Sequence, residues 1–296
     1  MQTIDLTELR LADHLRAGGP APAEVLIEVP HGATERADFA TLASRLAGPL
    51  PGRLEAFFHV NTDEGAPELA KEVAHRLGAS GRRVLVVRCR IPRTLIDVNR
   101  ELEGDAAGMT AGLPPYVRDA ADRDLLIDLH RRYTVAAETA YAEVCGAGGF
   151  ALALHTYAPR SVGVEIGDDV VGDLRRAYRP AAYRAWPERP PVDLITATPD
   201  GERLAPEGLV ATLGDELARI GVPTAENSSY RLHPSTMGHR HARRWPGRVL
   251  CLEVRRDLLG APWRPFVESR IGPRKIGRIA VAISRALERT LDARSR

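Results

Sequence analysis

The sequence predicts an α/β protein with a parallel sheet covered by helices on both faces. Two observations predict it. Short apolar runs suited to strands alternate along the first half with stretches of helical periodicity. Three of the strand-like runs also lead into residue types that bind metals: Pro30-His31-Gly32, Asn61-Thr62-Asp63-Glu64-Gly65 and His155-Thr156-Tyr157. A parallel sheet gathers the carboxyl ends of its strands along one edge, where such sheets build their sites.

Each element has its own signal. Residues 24–29 form an apolar strand, 35–46 a helix, and 54–60, with Phe57 and Phe58, a second strand. Residues 66–77 place Leu69, Val73 and Leu77 at helical spacing and close on Gly78. An apolar strand follows at 83–88 and a further short one at 94–98. Residues 118–144 read as a long amphipathic helix, broken by Gly146–Gly149 before the strand that ends at His155. The 168–191 segment reads as an irregular surface excursion, 192–196 as a strand and 206–220 as a helix. A loop rich in His and Arg over 230–247 precedes a strand at 248–254 and a terminal helix at 277–291. No repeat, low-complexity tract or composition shift divides the chain, so residues 1–296 read as a single domain.

Bulk properties narrow the function. A chain of 296 residues can bury roughly three-quarters of its unfolded surface. Hydrophobic residues make up 44% and charged residues 27%, an ordinary balance for a globular protein. A net charge of +2 argues against a nucleic-acid or membrane-surface partner. Lys occurs only at Lys71 and Lys275, so arginine clusters reflect a compositional skew before they reflect phosphate binding. Cys89, Cys145 and Cys251 are odd in number and set in apolar contexts, which reads as buried free thiols in a reducing compartment. The amino terminus has no apolar stretch suited to a signal peptide, and no segment approaches the roughly 18 apolar residues of a membrane helix. The expected location is the cytoplasm, and the expected partner a small molecule.

Six places could carry chemistry. Pro30 and Gly32 make a strand-ending turn that projects His31 into a crevice or lets it cap a carbonyl. Asp63 and Glu64 precede a helix, where an acid either caps the amino end or binds a metal. His155 ends an apolar strand, as a ligand or a satisfied core histidine. Two imidazoles and a carboxylate meeting at one sheet edge would suit a hydrolytic zinc, which takes three protein ligands and keeps one position for water. Asn99 and Arg100 offer donors to a substrate carboxylate, or belong to a surface ion-pair network; Asp97, between Ile96 and Val98, is placed to orient a neighbour. Glu253, an acid in an apolar strand, is either a proton acceptor or the partner of Arg255, Arg256 or Arg100. His233, His239 and His241 fit a segment that covers the site or touches substrate better than they fit ligation.

In order along the chain, Val29-Pro30-His31-Gly32, Asp63-Glu64-Gly65-Ala66, Ile96-Asp97-Val98-Asn99-Arg100, His155 and Leu252-Glu253-Val254-Arg255-Arg256 resemble the N-formylglutamate amidohydrolase family, over about residues 24–260. The resemblance implies a branch of the zinc carboxypeptidase-type phosphorylase/hydrolase fold, three-layered, with a mixed, mostly parallel sheet between helices. It implies one zinc held by His31, Asp63 and His155, a substrate carboxylate on Asn99 and Arg100, Glu253 as general base and Arg93 on the scissile carbonyl. It also makes Asp63, rather than Glu64, the metal ligand. The chain departs from the family at His130-Arg131-Arg132-Tyr133-Thr134, at Thr156 and in the 230–245 segment, which bear on substrate contacts more than on ligands. The activity implied is zinc-assisted hydrolysis of a small N-formyl or N-acyl amino acid. A carboxypeptidase or amidase of wider scope on the same fold and a non-catalytic binding homologue are the alternatives.

Overall fold

The computed structural model describes residues 2–6, 9–19, 21–102 and 112–294. They form an eight-stranded sheet in the order β1-β2-β4-β3-β5-β8-β6-β7. The strands are β1 (Gln2–Leu6), β2 (Leu9–Ala17), β3 (Val25–Val29), β4 (Val84–Cys89), β5 (Phe150–Tyr157), β6 (Val192–Ile195), β7 (Thr224–Glu226) and β8 (Val249–Arg255). The four central strands β4, β3, β5 and β8 are mutually parallel. The β1–β2 pair joins one side antiparallel, and β6 joins β8 antiparallel on the other with β7 parallel beyond it. The sheet is thus mixed and mostly parallel in its centre.

Helices cover both faces. On one side α3 (Ala66–Ala79), α7 (Glu207–Arg219) and α9 (Pro273–Arg294) pack on Val25, Ile27, Val29, Leu152, Leu154, Leu250 and Leu252. On the other, α1 (Arg36–Ala43), α2 (Leu54–Asn61), α4 (Ala120–Gly146), α5 (Val170–Ala177) and α8 (Met237–Arg244) cover Leu26, Ala151, Ala153, Val249 and Cys251. The remaining helix, α6 (Pro180–Ala185), has no buried residue. Alternation along each strand sends successive side chains to opposite faces. His155 and Glu253 therefore point the same way as Ala153 and Cys251, toward the α2–α5 side.

Several elements differ from the sequence reading. Residues 54–60 are helical, not a strand: Leu54, Phe57 and Phe58 recur at i, i+3 and i+4, and all three are buried. Residues 94–98 form turns rather than a strand, because the Pro92 carbonyl accepts from the amides of Leu95 (2.9 Å) and Ile96 (3.2 Å) and that of Asp97 accepts from Arg100 (3.1 Å). The 168–191 excursion contains α5 and α6, and in α5 the buried Val170, Val171 and Leu174 lie on one helical face. The 230–247 segment is not all loop. It holds α8, capped by the Thr236 hydroxyl accepting from the His239 amide at 3.2 Å, with a buried face of Met237, Gly238, His241 and Ala242 too polar to read as apolar patterning. β1, β2 and β7 carry no strong apolar run; β2 is held by its ladder to β4, from Ala12 opposite Cys89 to Ala17 opposite Val84. The three cysteines are free and buried, and among the described residues no helix is long and apolar enough to cross a membrane.

Candidate active site

Four backbone devices bring the first cluster together. β3 ends at Val29, and the turn after it places His31 beyond the sheet edge. The Asp63 amide donates to the His31 carbonyl at 3.2 Å, tying the chain after α2 to that turn. Arg88 Nε donates to the Gly32 carbonyl at 2.7 Å, and a Cβ on Gly32 would lie 2.7 Å from Arg88 Cγ, so this close approach needs glycine. Helix α3 has Gly65 as its N-cap, at φ 86°, with no side chain capping it. Neither Asp63 nor Glu64 is therefore a helix cap.

The two acids turn opposite ways. Glu64 accepts from the Ser269 amide at 2.9 Å and from its hydroxyl at 2.5 Å, anchoring a distant segment. Asp63 Oδ2 faces His155 Nδ1 at 2.9 Å and His31 Nδ1 at 3.4 Å, and the two ring nitrogens are 3.2 Å apart. All three side chains are buried. Burial would raise the Asp63 carboxyl, but the two imidazoles beside it hold it well below the usual carboxylate range. Burial likewise opposes a charge on His155, yet the Asp63 carboxylate raises its affinity for a proton.

His31 is oriented from behind. Its Nε2–H donates to Asp97 Oδ1 at 2.8 Å, which leaves Nδ1 with its lone pair aimed at His155 and Asp63. Asp97 also accepts from Arg93 Nε at 2.9 Å and from the Asn99 amide at 2.9 Å, and Arg100 Nε lies 3.8 Å away. Against the cost of burial, Arg93 and His31 keep the Asp97 carboxyl strongly acidic. Two imidazole nitrogens and a carboxylate oxygen converging this closely make a good donor set for a cation. Among the described residues this is the one His/Asp/Glu/Cys group close enough to hold a cation, its ligand atoms all within 4.8 Å. Their two nitrogens and one oxygen could hold a divalent cation.

Glu253 lies one strand over, directly opposite His155 in the parallel β5–β8 register and opposite Asp193 in the β6–β8 register. Its Oε2 is buried without a hydrogen-bond partner, and burial followed by the nearby Asp63 charge raises its proton affinity, although His155 pulls the other way. The internal ion pair open at the sequence level does not form. Arg255 binds Asp257 and Glu188, and Arg256 donates to the Val60 and Thr156 carbonyls.

The cavity around these groups has a volume of about 490 Å³ and is also lined by Arg93, Asn99, Arg100, Arg189, Tyr230 and Arg256. Asn99 is only partly free, since its Oδ1 accepts from the Gly238 amide at 3.3 Å. Of the three loop histidines, His233 alone lines the cavity, hydrogen-bonded to Ser235; His241 is stacked on Tyr141, with ring centroids 3.8 Å apart, outside the cavity lining. Burial pushes the Cys251 thiol in the cavity wall up to about 12, so it is no nucleophile.

Arg189 and Tyr230 were not singled out from the sequence. The Arg189 guanidinium sits 5.0 Å from the Tyr157 ring centroid and 5.4 Å from that of Tyr230, and Nη2 donates to the Tyr230 hydroxyl at 2.7 Å. No carboxylate pairs with it among the described residues. The available signal was Glu188-Arg189-Pro190-Pro191, in which following prolines hold Arg189 extended. Tyr230 is placed by the Ser228 and Ser229 amides, which donate to Asp193 at 3.1 and 2.6 Å.

No family model matches the chain, and no curated protein does. The fold is shared with the crystal structure of N-formylglutamate amidohydrolase from Ralstonia eutropha, at 21% identity and a TM-score of 0.62, covering 95% of this chain and 98% of that one. A gene product of Agrobacterium tumefaciens has the same architecture, at 16% identity and a TM-score of 0.56 with 96% of each chain covered. The fold resemblance read from the motifs therefore holds across nearly the whole length.

Proposed function

We propose that the protein is a zinc-dependent amidohydrolase that cleaves the amide bond of a small N-formyl or N-acyl amino acid. The observation that carries this reading is the buried His31–Asp63–His155 group with Glu253, whose Oε2 has no hydrogen-bond partner, beside His155 on the same sheet face. The shared fold with an N-formylglutamate amidohydrolase supports it. His31, Asp63 and His155 would hold one zinc, which when bound supplies Lewis-acid polarisation and a more acidic water.

The chain's own residues supply the rest. Asp97 keeps the proton on Nε2 of His31 and so keeps Nδ1 free. Glu253, buried and unbonded at Oε2, accepts a proton from the attacking water and returns it to the leaving amine. Arg93, held charged by Asp97 although burial opposes it, faces the developing negative charge on the carbonyl oxygen. Arg100, its Nε without a hydrogen-bond partner, and Asn99 grip the substrate carboxylate.

Metal analysis and a substrate panel test the reading. Protein purified without chelator should carry close to one zinc per chain, lost in His31→Ala and His155→Ala. It should release amino acid from N-formyl or N-acyl substrates only when loaded. Absence of metal from the wild-type protein would remove the proposal.

A further inference from the structure

The cavity is larger than a formylated acidic amino acid requires, and its two walls differ. At about 490 Å³ it lies within the roughly 300–1,000 Å³ that encloses drug-sized ligands. Its cations include Arg93 and Arg100, which both stand at Asp97, and Arg189 against Tyr157 and Tyr230; Arg160, Arg231 and Arg256 line it too. Its apolar wall includes Phe57 and Val60 of α2, Val164 and Ile166 of the segment before α5, and Leu174 of α5. Along 162–166 the half-buried Val162, Val164 and Ile166 alternate with the exposed Gly163 and Glu165, a period-2 pattern that turns one apolar face inward. Val164 and Ile166 also rest against the buried core, so their position is fixed by packing.

The terminal nitrogens of the guanidiniums beside this wall are taken up by backbone carbonyls. Arg256 donates to the Val60 carbonyl at 2.9 Å, and Arg160 donates to that of Trp186 at 2.7 Å. A second carboxylate placed here would lose water and find only the single Nε of Arg256 unpaired, too little to replace its hydration. N-formylglutamate held with both carboxylates at the cationic end would instead leave the apolar wall wet and forfeit its burial.

Building on the amidohydrolase reading, we infer that the substrate is amphipathic, with a carboxylate at the Asn99–Arg100 end and an aliphatic or aromatic group covering the Val164–Ile166–Leu174 wall. That group belongs either to the amino-acid side chain or to the acyl chain, and the two sources are separable by substrate choice.

The experiment uses the zinc-loaded full chain and compares kcat/KM for N-formyl-leucine, N-formyl-phenylalanine, N-octanoyl-glutamate and N-formylglutamate. One apolar group well packed in a pocket is worth about 10-fold or more, so at least one of the first three should exceed N-formylglutamate by that factor. Preference for the formyl-leucine or formyl-phenylalanine member assigns the wall to the side chain; preference for the octanoyl member assigns it to the acyl group. In Ile166→Ser the preference ratio should shrink through a higher KM for the apolar member, with the melting temperature checked to confirm folding. A best substrate of N-formylglutamate, or an Ile166→Ser variant with an unchanged ratio, overturns the inference and leaves the hydrolase reading standing. Failure to turn over any of the four removes both.

Discussion

A buried carboxylate oxygen that meets no donor costs free energy unless a ligand arrives to use it, and Glu253 Oε2 is in that position. Glu253→Gln keeps the volume but replaces the proton acceptor with an amide. Zinc content should stay unchanged while kcat falls by about 10²–10⁴; retained turnover would assign the base elsewhere. Asp97 acts one residue further out, through His31. In Asp97→Asn the amide oxygen can face only one of His31 Nε2 and Arg93 Nε, and its NH₂ must then oppose the other donor. Zinc affinity should drop by roughly 10–100-fold, read by competition with a chelator, and equal affinity would show that His31 needs no such partner. The motif Ile96-Asp97-Val98-Asn99-Arg100 marked these side chains in the sequence, but their meeting with His31, 66 residues away, is a product of topology.

At the scale of elements, the Asp63 hinge depends on Gly65. Its φ of 86° lies in the left-handed region, and an added Cβ would come within 3.0 Å of Leu259 Cδ1. Gly65→Ala should destabilise the fold by roughly 1–2 kcal/mol from backbone strain alone, measured by denaturant titration; an unchanged midpoint would show that the α3 start can relax. Residues 54–60 illustrate what was legible. Phe57 and Phe58 suggested a strand, whereas Leu54 with both phenylalanines already forms one helical face. The Asp63–Glu64 pair was singled out nonetheless, because it precedes Gly65 and the helix from Ala66 whatever comes before it, and the choice of Asp63 within the pair came from the family resemblance alone. Strands β3, β5 and β8 were legible as continuous apolar runs, since both of their faces are covered. β1, β2 and β7 were not, because strands at a sheet's margins owe their place to hydrogen bonding rather than to composition. Arg189 and Tyr230 escaped for a related reason: both lie in segments with no periodic pattern, and only the Asp193 anchor and the packed tyrosine rings show where they go.

For the whole molecule, the His31–Asp63–His155 group ties together parts of the chain that are far apart in sequence, reached from β3, from the end of α2 and from β5. A cation bound there stabilises only the folded state, since the unfolded chain does not hold the three donors at one point. At a free zinc concentration of about 1,000 times the dissociation constant the gain is roughly 4 kcal/mol, which for a domain of this size should raise the melting temperature on the order of 10 °C. The sign follows from the site itself: folding already holds the carboxylate and the two imidazole nitrogens within reach of a single cation, an arrangement the unfolded chain lacks. Thermal melts of chelator-treated protein, with and without added zinc, measure this, and His155→Ala serves as the control in which the shift should vanish. Identical melting temperatures for the treated and zinc-loaded wild type would mean that the three side chains form a hydrogen-bonded cluster rather than a metal site, and Glu253 would then have no activated water to serve.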